Sequence, residues 1–264
     1  KYYAMVDWLD ETVAQLLDHL ERNGQAENTI IVYLADNGWV QLSGGTPFNQ
    51  SRSKLSPYDA GLRTPILIRW PGWIKPERDE TSLASSVDLA STILPLCGVK
   101  KLAAMPGVNL TKAAERRRRD SVYGSIFIHT SEDVERPERN LKYRWMISGR
   151  HKIVVPYAPN RGKVIWEGMK DIRWMKDAPE LFDVVADPGE TADLAASQPE
   201  TLRRMMADLC SPKLSSMIRR ASMIVPTPMV MAWRGTLRSP KKSPAAISSV
   251  RCWSSTRGKS WRKT

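Results

Sequence analysis

The sequence predicts an α/β fold with a small antiparallel subdomain behind it, and three observations carry that prediction. Two short, continuously apolar runs are flanked by helical segments, and the order helix, strand, loop, strand, helix builds a largely buried sheet. The two runs are separated by a loop of nearly thirty residues, a length that in a compact domain marks function or disorder. After about Leu110 the texture changes to short strands punctuated by turn residues.

Residues 2–23 read as an amphipathic helix. Val6, Leu9, Val13, Leu16, Leu17 and Leu20 recur at steps of three and four, and Asn23-Gly24 supplies a C-terminal stop. Thr29–Ala35 reads as a strand whose unbroken apolar run predicts burial on both faces. Thr64–Trp70 reads as a second buried strand, closed by Pro71-Gly72. A helix is expected from about Ser86 to Gly98, with Pro95 ending or kinking it early. Beyond the charged run Arg116–Arg119, strands are expected at Val122–His129, Tyr143–Ser148 and Lys152–Tyr157. Another strand lies in "ELFDVVADPGE", turned by Pro188-Gly189, and a final helix begins near Pro199. The division expected is 1–112, 113–210 as the antiparallel subdomain, and a basic tail, 211–264, that is disordered or read out of frame.

The net charge of +12 first resembles a nucleic-acid signature, but its distribution excludes that reading for the body. Twelve of the 40 Lys and Arg lie beyond Cys210, where no Asp or Glu occurs; the preceding residues hold equal numbers of the two signs. No nucleic-acid partner is expected. No run approaches the roughly 18 apolar residues of a membrane span. The chain opens on Lys1 inside a helical pattern, so its true start is expected upstream and localisation cannot be read directly. Cys97, Cys210 and Cys252 form no CxxC pair and predict no disulfide scaffold.

Asp36-Asn37-Gly38 follows directly on the first strand. A carboxylate and an amide side by side where a strand surfaces have two readings: a tight turn, or two oxygen ligands for a hard divalent cation such as Ca²⁺. Gly38 would free the backbone so that both oxygens reach one ion. The three histidines lack metal-pair spacing: His19 and His151 read as surface residues, and His129, at a strand end, reads as a structural or surface residue ahead of one at the edge of a pocket. Trp145, Trp166 and Trp174 read as sugar-stacking or core residues. Arg116–Arg119 reads as a solvated charge run.

Taken with "SKLSPYDAGLRTPILIRWPG", residues 53–72, the stretch "YLADNG" resembles the sulfatase family within the alkaline-phosphatase-like superfold. "VDLASTILPLCGV", "MPGVNL", "KYRWMISGRHKIVVPY" and "ELFDVVADPGETADLA" continue the resemblance through about residue 209. The resemblance implies part of an alkaline-phosphatase-like sandwich that hydrolyses sulfate esters of carbohydrate or aryl type. Asp36 and Asn37 would be ligands of one Ca²⁺, and Lys54 would contact the sulfate on its leaving-group side. Arg63, Tyr58 and Asp59 would be scaffold. Secretion or a periplasmic home is implied in the same way.

Two departures stand out. Ala60 replaces a glycine of the family pattern, which would strain the loop if that position needs a positive φ. The formylglycine motif Cys/Ser-x-Pro/Ala-x-Arg occurs nowhere in the chain; "CSPKL" at Cys210 has Leu214 where Arg is required. This chain alone is therefore expected to be inactive. Phosphate-ester or phosphonate hydrolysis on the same superfold, and a non-enzymatic polyanion-binding remnant, are the rival expectations.

Overall fold

The computed structural model describes residues 2–41, 50–127, 136–157 and 177–211. These fall into two compact units, one of residues up to Leu83 joined with Arg119–Ser211, the other containing Ala84–Arg118.

In the first unit, helix α1 spans Tyr2–Arg22. It ends as the sequence requires. Gly24 takes φ +64°, and the amides of Gly24 and Gln25 donate to the carbonyls of Glu21 and Leu20, satisfying groups the last turn leaves open. Val13, Leu17 and Leu20 are half-buried, whereas Val6, Leu9 and Leu16 stay exposed.

Strand β1, Ile31–Leu34, pairs antiparallel with β2, Ile66–Arg69, in the register Ile31↔Arg69 and Leu34↔Ile66. The expectation that both strands are buried is corrected here. Tyr33 and Leu34 are exposed, and β2 alternates, with Leu67 58% exposed. The two strands form a two-stranded sheet among the described residues, so no neighbouring strand extends it and no layer covers both faces. The end of β2 is well held. Trp70 is buried, donates its indole N–H to the Glu27 carbonyl at 2.8 Å, and stacks on Trp73 at 4.8 Å between ring centres.

The second sheet has four antiparallel strands in sequence order: β3, Ser121–Phe127; β4, Leu141–Ser148; β5, His151–Pro156; and β6, Glu180–Asp183. Residues paired across antiparallel strands share a face. The register therefore puts Val122, Ile147, Lys152 and Phe182 in one row, with Trp145, Val154 and Glu180 beside them. This face carries the main apolar cluster, in which Val122, Ile126, Tyr143, Ile147, Val154 and Phe182 pack with Tyr58 from the segment after β1. Met146, Ile153 and Leu181 form a row on the opposite face. Helix α5, Pro199–Leu209, packs on β4 and β5 and buries Met205 and Leu209.

Trp145 is a packing residue: a Cβ on Gly124, its cross-strand partner, would come within 2.6 Å of the indole. His151 begins β5, after a turn made by Gly149-Arg150 with Gly149 at φ +56°. His129, Trp166, Trp174, Cys252 and all of the tail beyond Ser211 lie outside the described residues.

In the second unit, helix α3 covers Asp88–Leu96 and runs one residue past Pro95 before Gly98, at φ +72°, stops it. Its buried face is polar. Asp88 accepts the amides of Ser85 at 2.8 Å and Val108 at 2.9 Å, and the Thr92 hydroxyl accepts the Leu110 amide at 2.9 Å. Short helix α4, Ala113–Arg117, corrects the solvated-run reading at one position: Arg116 is buried, and its guanidinium donates to the Leu110 carbonyl, whereas Arg117 and Arg118 are exposed. No described helix is long and apolar enough to cross a membrane.

Candidate functional site

β1 delivers the chain to Asp36 and Asn37, which form a bend. The Asn37 amide donates to Asp36 Oδ1 at 2.9 Å, and Asn37 Nδ2 donates to the Gly38 carbonyl at 2.8 Å. That bond uses the nitrogen of the side-chain amide and leaves its oxygen as the acceptor for a ligand. Asp36 is exposed and Asn37 half-buried.

Gly38 is required for a reason other than the backbone freedom its place in a turn predicts, because its φ is not positive. Its N–H donates to the Gly61 carbonyl at 2.9 Å, and a Cβ there would lie 2.1 Å from the Ala60 carbonyl oxygen. Gly61 repeats the device, with a Cβ that would lie 2.2 Å from the Ser53 carbonyl oxygen. Three backbone segments thus stack at distances only glycine allows. Fully buried Ser53 adds a crosslink by accepting the Val40 amide at 2.9 Å.

Residues 59–62 form a short helix, α2, so Ala60 has an ordinary helical backbone and the strain predicted for it is absent. The positive φ falls instead on Leu55, at +69°, immediately after Lys54. Tyr58, Asp59 and Arg63 behave as scaffold. Tyr58 is buried against Phe182 and donates its hydroxyl to Glu180 Oε2 at 2.8 Å. Burial, reinforced by the Glu180 carboxylate, pushes the phenol above its ordinary pKa, so it remains a donor. Arg63 pairs with Asp59 at 2.6 Å.

The stacking opens a cleft of about 280 Å³. Asp36, Asn37 and Lys54, picked from three separate sequence positions, all line it; Ser125, Ile126 and Phe127 of β3 supply another wall. Lys54 is exposed, and no ion pair holds it among the described residues. The cleft therefore offers one carboxylate, one amide oxygen and one ammonium on a mixed polar and apolar surface. That donor chemistry fits an oxygen-seeking cation, though it supplies two of the roughly six to eight ligands Ca²⁺ takes. Among the described residues no group of three His, Cys, Asp or Glu stands close enough to hold an ion elsewhere.

Sequence reasoning missed the polar residues behind the cleft. Arg52 lies 3.8 Å over the Tyr58 ring, and Lys152 and Glu190 form a fully buried ion pair at 2.8 Å. The only signal for Lys152 was a lysine at an inward position of an otherwise apolar strand, "HKIVVP".

A family model described as Sulfatase matches residues 1–99, and one described as N-sulphoglucosamine sulphohydrolase, C-terminal, matches residues 53–212. An ulvan-active sulfatase of Formosa agariphila is 29% identical over 223 residues, covering 78% of this chain and 36% of that protein. An N-acetylgalactosamine-6-O-sulfatase of Bacteroides thetaiotaomicron is 25% identical, with 75% of this chain and 39% of that protein covered.

Among solved structures, one in complex with its substrate D-glucosamine-2-N,6-O-disulfate superposes with a TM-score of 0.54 at 24% identity, covering 83% of this chain and 40% of the other. A 2-O GAG sulfatase gives a TM-score of 0.55 at 22% identity, covering 81% and 41%. These likenesses show the alkaline-phosphatase-like fold. The chain spans between 36% and 39% of the length of the first curated relatives it matches. With two sulfatase family models matching the chain, and the second alone matching more than half of it, the protein belongs to the sulfatase family.

Proposed function

We propose that this chain supplies part of the site of a hydrolase acting on sulfate esters of carbohydrates. The observation that carries the reading is the convergence of Asp36, Asn37 and Lys54 on one cleft through glycine contacts that tolerate no side chain. The relatives named for ulvan and for N-acetylgalactosamine-6-O-sulfate support the carbohydrate class. Residues 1–112 carry these three side chains, and 113–210 brace the cleft and add the β3 wall.

In this reading Asp36 and Asn37 hold a Ca²⁺ ion, with the other ligands coming from sequence outside this chain. Bound there, the ion would supply positive charge against the sulfate oxygens. Lys54 places an ammonium, a compact point charge on a flexible stem, beside the oxygen that becomes the leaving group. Leu55, Leu62 and Ile126 give the cleft an apolar side beside these polar groups. A formylglycine nucleophile belongs to the family pattern, and no residue of this chain provides it.

Titrating inorganic sulfate into the chain by calorimetry tests the assignment. Sulfate is expected to bind weakly, and Lys54→Met to weaken it by roughly tenfold or more, the scale of one lost charge-assisted hydrogen bond. Equal affinity in the chain and in Lys54→Met would remove Lys54 from the site.

A further inference from the structure

Glu190 is distant in sequence from the cleft, yet it grips both ends of the segment that forms one cleft wall. Its carbonyl oxygen accepts a hydrogen bond from Arg52 Nη2 at 3.1 Å, and its Oε2 lies 3.9 Å from Arg52 Nη1. The same Oε2 accepts the Asp59 backbone N–H at 2.5 Å. Between Arg52 and Asp59 lie Lys54, Leu55 and Ser56, all lining the cleft. The other carboxylate oxygen, Oε1, faces Lys152 Nζ at 2.8 Å, with both side chains at most 1% exposed. Lys152 belongs to β5, so one carboxylate joins the cleft wall to the four-stranded sheet.

This arrangement is a poor device for stability alone. Removing two charges from water offsets most of their attraction, and apolar residues of similar size would fill the space at less cost. Burial holds the Lys152 ammonium below its ordinary pKa even with Glu190 beside it. Glu190 also takes φ +52°, a left-handed backbone disfavoured for any residue but glycine. Such conformations persist where surrounding contacts over-determine them, and they cluster at functional sites. The wall that Glu190 grips contains the other such residue among the described ones, Leu55, next to Lys54.

We propose that Glu190 is the positioning residue of the cleft: by clamping Arg52 and Asp59 it fixes the 52–59 segment and hence the place from which Lys54 meets an anion. The inference rests on the reading of the cleft as a sulfate site. Glu190→Gln keeps the shape but replaces one acceptor oxygen with a donor NH₂, which cannot serve the Lys152 ammonium and the Asp59 N–H together.

The test uses the full 264-residue chain. Hydrogen exchange in Glu190→Gln is expected to quicken about tenfold at amides 53–62 while β4 and β5 keep their protection. The affinity for inorganic sulfate should fall about tenfold in the same variant. If Glu190→Gln fails to fold, Arg52→Met removes the guanidinium's contacts with Glu190, together with its stacking on Tyr58, while sparing the Lys152 pair, and should give the same local pattern.

Three results would overturn the proposal: unchanged exchange at 53–62 in a folded variant, equal quickening across sheet and loop, or faster loop exchange with unchanged sulfate affinity. If the unaltered chain binds no sulfate, the sulfate reading falls, and the exchange pattern alone decides whether Glu190 fixes the loop.

Discussion

At the scale of single residues, the site depends on what is missing from Gly38 and Gly61. A methyl on Gly38 would meet the Ala60 carbonyl at 2.1 Å, with backbone on both sides and no flexible tip to move aside. Gly38→Ala should therefore lower unfolding stability by about 1–3 kcal/mol, as overpacking does, in urea denaturation. Tyr58→Phe removes the buried hydroxyl donor to Glu180 and should cost about 1–2 kcal/mol by the same measurement. Asp36 and Asn37 were legible in the sequence only as a turn or a ligand pair at a strand end, and Lys54 stood out only through the family resemblance. Sequence reasoning gave Gly38 the wrong physical role, since a close backbone approach leaves no trace in composition. Glu190 was illegible for a related reason: its partners Arg52 and Asp59 are more than 130 positions away.

At the scale of elements, period and turn chemistry were readable. The α1 stop at Asn23-Gly24, the four strands of the second sheet and the helix starting at Pro199 stand where the pattern puts them. The burial of β1 was not readable, because an apolar run reports what a strand can be covered by and not what this chain brings to cover it.

The turn after β6 makes a pH prediction. Arg150 beside Asp183, helped by the Ala186 and Val185 amides, holds that carboxyl down to about 2; the Ala192 amide foremost lowers Asp187 from 3.8. A depressed folded-state pKa means that the unfolded chain takes up the proton first as pH falls. The contribution of these groups is therefore complete above the ordinary value of 3.8 and is lost as pH drops from there through about 2. Acid titration of the melting temperature should show that loss, and Asp183→Asn should flatten it. A profile identical in Asp183→Asn would contradict the assignment.

At the scale of the molecule, the described residues leave unusual apolar area uncovered. Tyr3 is 81% exposed, Trp8 64%, Leu16 62% and Leu67 58%, on α1 and on the two-stranded sheet. Surfaces of that kind bind other apolar matter. The chain should bind the dye ANS in its native state, and Leu16→Lys with Leu67→Lys should reduce the fluorescence without lowering the melting temperature.

The central claim is that Asp36 and Asn37 serve one anion through a shared cation while Lys54 meets the same anion directly. Binding linkage makes this measurable, because a cation that tightens sulfate must be tightened by sulfate to the same degree. The direct measurement is the affinity of the chain for inorganic sulfate without Ca²⁺ and at saturating Ca²⁺, repeated in Asp36→Ala. The account predicts tighter sulfate binding with Ca²⁺ in the unaltered chain and no Ca²⁺ effect in Asp36→Ala. Sulfate affinity indifferent to Ca²⁺ in the unaltered chain, or equally responsive in Asp36→Ala, would contradict it.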